Sequence, residues 1–334
     1  LQNASSYANK LYVVYIFIMK HLTIGEFTLF MDSLNNVEYS VRSMLSSISA
    51  IYNDNLYVDD LFNFLQEKEM ENKSLSNKTF PHQFNEIRFE HVYFKYPGVE
   101  NYCLQDINIT IQSNKIYALV GENGSGKTTL IKLLMGLYYP TEGNIYIDNI
   151  NINDISRESL YQNMGVIFQD FIKYPLSIKE NIGIGNTEHI KEEDRILEIG
   201  KSVGIDKFVE GLPEKYATQL QKEWEGGVDL SIGQWQKIAI GRALIADSKI
   251  TILDEPTASL DPKAEYELFK NLKQLMDQKT CLFITHRFAN VQLAHEIIVV
   301  DKGRIAECNS HENLMKLDGI YAELYKIQSE AYAS

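Results

Sequence analysis

The stretch Gly121-Glu-Asn-Gly-Ser-Gly-Lys127-Thr128 constrains this chain more than any other. Its spelling is G-x-x-x-x-G-K-[ST], and phosphate chemistry accounts for that spelling. Several backbone N–H groups can converge on one set of oxyanions only if the chain wraps tightly. Glycines permit that approach and the dihedrals it requires. Lys127 supplies a point charge to the β- and γ-phosphates of a nucleotide, and the Thr128 hydroxyl suits a Mg²⁺ ligand. The flanks agree. Lys115–Val120 is an apolar run that reads as a buried strand, and Thr128–Met135 reads as a helix with Gly136 and Pro140 near its end. Strand, glycine loop and helix together aim a helix N-terminus at an anion.

The rest of the chain divides into three parts. Residues 1–65 carry no proline and one glycine, with apolar residues at helical spacing through Phe27, Phe30, Met31, Leu34, Val37, Val41, Met44, Leu45 and Ile48. Residues 66–85 turn polar and charged, a linker composition with Pro81 near its end. From residue 86 to 334 strands and helices alternate, which predicts an α/β domain. Arg88–Tyr96 and Asn144–Asp148 alternate like half-exposed strands, whereas Met164–Phe168, Lys249–Leu253 and Thr280–Thr285 read as buried and parallel.

Composition excludes some classes. The net charge of −13 disfavours a nucleic-acid partner, which normally needs a basic face. The three cysteines, Cys103, Cys281 and Cys308, lack metal spacing and read as reduced thiols. His82, His91, His189, His295 and His311 likewise suggest no metal set. Residue 1 is Leu and no signal peptide opens the chain, so the sequence is expected to begin inside a longer protein. No run reaches the 18 apolar residues of a clear membrane span; Leu11–Met19 is apolar or aromatic and is cut off by Lys20.

Two further segments carry chemistry. Ile250-Thr-Ile-Leu-Asp254-Glu255 is an apolar strand ending in two acids, at the carboxyl edge where open α/β sheets bind ligands. Asp254 is expected to hold Mg²⁺ or its water, and Glu255 to accept a proton from an attacking water. Leu230-Ser231-Ile232-Gly233-Gln234 precedes an apolar helix, and Ser231 and Gln234 have capping-box spacing. That spacing fits an ordinary helix start and an anion site equally well.

In order, these motifs resemble the ATP-binding cassette (ABC) transporters, exporter type, with membrane and nucleotide domains fused. The resemblance covers about residues 86–330 and implies a P-loop NTPase cassette. Such a cassette has a parallel core sheet, an antiparallel β subdomain and a helical subdomain, preceded by long membrane helices. It implies that ATP is bound by Gly121, Asn123, Gly124, Ser125, Gly126, Lys127, Thr128 and Thr129, with adenine stacked on Tyr96. Thr128, Gln169 and Asp254 match the Mg²⁺ ligands. Glu255, His286 and Lys127 match the catalytic groups, and Ser231, Gly233, Gln234 and Asp261 match the residues that meet the nucleotide of a second cassette. The departure is Ile232, where the signature sequence LSGGQ has Gly.

Residues 1–65 resemble the end of an exporter's transmembrane helix five, a connection near His21–Phe27 and helix six. Asn55–Leu65 and Gln234-Trp-Gln-Lys237 resemble bacterial lanthipeptide and bacteriocin exporters. The implied function is an ATPase in the bacterial plasma membrane, its cassette on the cytoplasmic side. Such a protein acts as a homodimer in contact with lipid and exports a substrate, a modified peptide in this subfamily. Lipid or drug-like cargo, or a soluble ATP switch without transport, are the alternatives.

Overall fold

The computed structural model of the chain describes residues 2–20, 23–66, 78–224, 226–256, 262–276, 279–285 and 288–333. The chain divides into two units, Leu1–Lys73 and Ser74–Ser334.

The first unit is a pair of helices, α1 (Gln2–Lys20) and α2 (Ile24–Gln66). Thr23 and Glu26 cap the second helix reciprocally: the Thr23 N–H donates to Glu26 Oε2 at 2.8 Å and the Glu26 N–H to Thr23 Oγ1 at 3.4 Å. Phe17 and Phe27 pack across the turn with ring centroids 4.8 Å apart. With 43 residues, α2 is about 65 Å long. Leu11, Tyr15 and Ile18 on α1 and Leu29, Val37, Met44 and Ile51 on α2 are exposed. Among the described residues no helix is long and apolar enough to cross a membrane. Ser33, Asn35, Asn36, Glu38 and Arg42 interrupt the apolar residues of α2.

The second unit starts with an antiparallel sheet. Strands β1 (Glu86–Phe94), β2 (Leu104–Gln112), β4 (Glu142–Ile147) and β5 (Ile150–Asn151) lie in the order β2-β1-β4-β5. A six-stranded sheet follows the order β10-β9-β3-β8-β7-β6. It comprises β3 (Ile116–Val120), β6 (Met164–Ile167), β7 (Ile250–Asp254), β8 (Thr280–Ile284), β9 (Glu296–Asp301) and β10 (Arg304–Asn309). All neighbours in it are parallel except β9 and β10.

The predicted buried strands are buried on both faces. Ala118, Val120, Leu253, Phe283 and Val299 enter one apolar core, while Leu119, Ile252, Leu282, Ile298 and Val300 enter another. Alternate residues of a strand point to opposite faces, so a strand covered on both sides is mostly apolar at every position. The second core also takes Phe89, Ile107 and Ile145 from the antiparallel sheet and Leu130 and Leu134 from α3 (Lys127–Leu134).

A helical layer fills the first core. Helix α4 (Arg157–Gln162) packs Leu160 into the second core, whereas this layer contains α5 (Ile178–Gly183), α6 (Glu193–Ser202), α7 (Asp206–Val209) and α8 (Ile232–Ile245). Ile182, Ile196, Val209 and Ile238 are their core contributions. Helix α9 (Pro262–Leu275) packs Leu268, Phe269 and Leu272 into the same core. Helices α10 (Phe288–Val291), α11 (His311–Leu317) and α12 (Ile320–Ala333) close the unit.

Cys103, Cys281 and Cys308 are all free thiols; burial in the core pushes Cys281 up to about 12. Among the described residues no cluster of His, Cys, Asp and Glu could hold a metal. The histidines have structural partners instead: His91 faces Asp106 at 2.8 Å, His189 faces Glu192 at 2.8 Å, and His295 Nδ1 accepts the Ile116 N–H at 2.9 Å.

Candidate functional site

The loop between β3 and α3 turns on glycine. Gly121, Gly124 and Gly126 have φ of +146°, +79° and +111°, a region that costs an L side chain strain. Two of them also lack room. A Cβ on Gly121 would sit 2.1 Å from the Val300 carbonyl oxygen, and one on Gly126 would sit 2.6 Å from Leu104 Cδ2. Around Gly124 the space is open. The loop is thus pinned against the sheet at both ends and open at its middle.

Lys127 is the first residue of α3 and is buried. Its Nζ donates to the carbonyls of Gly121 and Glu122, both at 2.8 Å, so the ammonium sits inside the curl of the loop. Desolvation lowers its pKa, and the nearby charges of Glu255 and Asp254 oppose that effect. Ser125 Oγ, in a residue only 5% exposed, has no hydrogen-bond partner. An orphan buried hydroxyl in a curl of backbone N–H groups fits an oxyanion.

Asp254 ends β7, as expected, and is 3% exposed. Desolvation raises its pKa first and the Glu255 carboxylate second; the hydrogen bond from Thr128, with Lys127 and Lys132, pulls the other way. Glu255 follows with φ +49°, left-handed for a non-glycine residue. Its N–H donates to the Ile284 carbonyl at 3.1 Å.

Part of this set lines one cleft of about 230 Å³; Gly121, Ser125 and Asp254 are not in its lining, and Asp254 reaches it through its hydrogen bond with Thr128. Asn123, Gly124, Gly126, Lys127, Thr128, Thr129, Gln169 and Glu255 line it, with Cys103. Tyr96 adjoins through its hydroxyl, 3.1 Å from Thr129 Oγ1. Its ring packs edge-on against Phe94 and Tyr138 at 5.0 and 5.2 Å. Two acids, a threonine hydroxyl and a glutamine amide are too few for a complete all-protein cation cage. They match Mg²⁺, which keeps waters and shares its shell with substrate phosphates. A larger groove of about 840 Å³ lies between α6 and the start of β7, lined by Lys191, Arg195, Asp247 and Lys279 among others. Arg195 and Lys279 pair there with Asp247 at 3.5 and 2.8 Å.

Ser231, Gly233 and Gln234 do not line the phosphate cleft. They form the N-cap and first turn of α8, with Ser231 exposed and Gly233 and Gln234 half-buried. Ser231 Oγ accepts the Gln234 N–H at 3.3 Å, and the Ser231 N–H donates to Gln234 Oε1 at 2.8 Å, closing the capping box. Ile232, 58% exposed, points away from the core. Asp261 and His286 lie outside the described residues. Cys103 was not legible as a lining residue, because its place depends on how the chain enters β2 beside Thr129, with Cys103 Sγ 3.3 Å from Thr129 Oγ1.

Residues 104–258, from β2 to just past Glu255, match the ABC transporter family. This chain carries an ABC transporter ATP-binding domain. Over 316 residues it is 36% identical to the subtilin transport ATP-binding protein SpaT of Bacillus subtilis, an overlap of 93% of this chain and 51% of that protein. The nisin transport ATP-binding protein NisT of Lactococcus lactis is 33% identical over 312 residues, 93% of this chain and 52% of that protein. An ATP-dependent lipid A-core flippase of Legionella pneumophila is 40% identical over 243 residues, 73% of this chain and 40% of the flippase. The solved structure of a bacterial Atm1-family ABC exporter with ATP bound superposes with a TM-score of 0.74 at 26% identity, covering 98% of this chain and 56% of that one. The chain thus spans about half the length of the subtilin and nisin proteins. The α/β fold of Ser74–Ser334 is the ABC cassette fold.

Proposed function

We propose that this chain is the ATP-binding and hydrolysing part of a bacterial membrane exporter, and that two copies of its cassette pair head to tail around ATP. The observation that carries this reading is the separation of the site into two faces. One face holds Lys127, Thr128, Asp254 and Glu255 around a single cleft. The other, the partly exposed helix start Ser231–Gln234, lies outside that cleft, at the N-terminus of α8. Each face is incomplete alone, and a second copy supplies the complement.

Within this reading the loop amides and Ser125 cradle the phosphates, and Lys127 exchanges its two loop carbonyls for phosphate oxygens. Thr128, Gln169 and Asp254 would hold Mg²⁺, which neutralises charge developing on the phosphates. Glu255 accepts the proton of the attacking water. Tyr96 stacks on adenine. Asp261 and His286 complete the partner-facing and γ-phosphate contacts.

Residues 1–65 are read as the end of the membrane domain, 66–85 as a linker and 86–334 as the cassette. The exposed apolar side chains of α1 and α2 then meet lipid or further membrane helices, and the polar groups of α2 face a water-filled path. A peptide cargo is supported by the likeness to the subtilin and nisin transport proteins over 93% of the chain. Lipid A-core flippases are alike over up to 92% of the chain at 31–33% identity, which makes lipid the second reading. The test is ATP hydrolysis by the full-length protein in lipid, with candidate peptides and lipids added. Stimulation by a peptide supports the reading; stimulation by lipid headgroups alone replaces it with the second.

A further inference from the structure

Glu255 sits in a left-handed conformation, φ +49°, which a glutamate does not adopt without support. Its backbone is held at two points. The N–H donates to the Ile284 carbonyl of β8 at 3.1 Å. The carbonyl accepts a hydrogen bond from Gln236 Nε2 at 3.3 Å. Gln236 belongs to α8 and is 3% exposed, buried among the apolar residues that anchor that helix. A carbonyl can only accept, so the amide nitrogen, not the amide oxygen, must face Glu255. The bond spans 19 residues of sequence and joins α8 to the end of β7, two elements whose side chains also share one apolar core.

The position of Gln236 on α8 gives the bond its meaning. Ser231 caps the same helix, five residues earlier, at the turn exposed to a partner. Five residues of helix rise about 7.5 Å. One rigid helix therefore carries, at its tip, the residues offered to the nucleotide of a second cassette and, one and a half turns deeper, the donor that holds the backbone of this cassette's own Glu255.

We infer that Gln236 is a positioning residue for Glu255, tying the proton-accepting carboxylate of one site to the helix that reads the nucleotide of the other. The inference rests on the proposed ATPase reading. Without the Gln236 donor, Glu255 loses one of the bonds that hold its left-handed backbone, the Ile284 bond remaining, and its carboxylate is less closely held on the line of the attacking water. Nucleotide contacts made by the phosphate loop are untouched, because Gln236 does not line the cleft.

The experiment compares wild type, Lys127→Ala, Gln236→Met and Gln236→Asn in the full-length protein in lipid. Gln236→Met keeps the volume and removes the donor; Gln236→Asn keeps an amide one methylene too short to reach. The measurements are ATP affinity, kcat, KM and the fraction of closed, ATP-loaded dimer at steady state. Misplacement of a reacting group by about 1 Å can cost on the order of 100-fold, so kcat is expected to fall by about 10- to 100-fold in both variants. ATP affinity should stay within about twofold, and closed dimer should accumulate, as a slowed chemical step requires. A merely structural glutamine would lower ATP affinity and dimer fraction together and trap nothing, and that result overturns the inference. So does an unchanged kcat in either variant. If the wild type itself fails to hydrolyse ATP, or Lys127→Ala matches it, the ATPase reading falls and the inference with it; a normal wild type and a dead Lys127→Ala leave the reading standing whatever Gln236 does.

Discussion

The hydroxyls of Tyr96 and Thr129 lie 3.1 Å apart, which ties an aromatic ring at the end of the antiparallel sheet to the first turn of the phosphate-loop helix. Phe94 and Tyr138 buttress the ring edge-on. Tyr96 is therefore fixed beside the cleft before any nucleotide arrives, and little side-chain entropy remains to be lost on stacking. Tyr96→Ala is expected to weaken ATP binding by about 1–3 kcal/mol, the usual worth of a base on an aromatic face. Tyr96→Phe should recover most of that, since the ring and its packing survive. Titration with a fluorescent ATP analogue checks both; equal affinity of Tyr96→Ala and wild type would remove Tyr96 from the site.

Lys127 holds two loop carbonyls at 2.8 Å, so its charge serves both the loop and the phosphates. Charge-assisted hydrogen bonds contribute about 1.5–3 kcal/mol each. Lys127→Ala is expected to cost ATP affinity at least about 10- to 100-fold and to abolish turnover. Equilibrium binding and phosphate release measure the two separately, and normal turnover would refute the phosphate-loop assignment.

Asp254 yields a prediction about pH. Burial raises its pKa in the folded protein above the unfolded value, so the folded state holds the proton to higher pH. Stability falls as pH rises through the window between the two values, and the cost is fully present above the raised folded-state value. Asp254→Asn removes the cost and still offers an oxygen to Thr128. Its nucleotide-free melting temperature should exceed that of wild type at pH 7, and the gain should shrink as pH is lowered towards the ordinary carboxylate range. Mg²⁺-dependent ATPase activity should be lost in the same variant. Scanning calorimetry at several pH values tests this, and a lower melting temperature at pH 7 would show that Asp254 is a structural acid.

Much of the cassette was legible because its strands are covered on both faces. Ile116–Val120, Ile250–Asp254 and Thr280–Ile284 are buried along their whole length, so each appears as a mainly apolar run with only Thr251, Asp254 and Thr280 as buried polar residues. The Ser231–Gln234 box was legible because its partners are three residues apart. Strand β2 was not: its Asp106, Asn108 and Thr110 face outwards and mimic a loop. The six-residue α5 was missed despite its own capping box, Ser177 with Glu180, because it is too short for helical periodicity to register. Neither the left-handed Glu255 nor its bond to Gln236 has a local signature, since both depend on α8 returning to the end of β7. The separation of Ser231 from Lys127 likewise follows from topology alone.

That separation is the centre of the account, and one measurement tests it most directly. Labels placed on the cassettes of the full-length Glu255→Gln protein in lipid report the distance between two copies. Mg-ATP is expected to bring the cassettes together into a single short-distance population. Introducing Ser231→Arg should abolish that population while each cassette still binds ATP, because the phosphate loop is intact and only the complementary face is blocked. Cassettes that stay apart with ATP bound, or that close equally well with Ser231→Arg, would contradict a site shared between two copies.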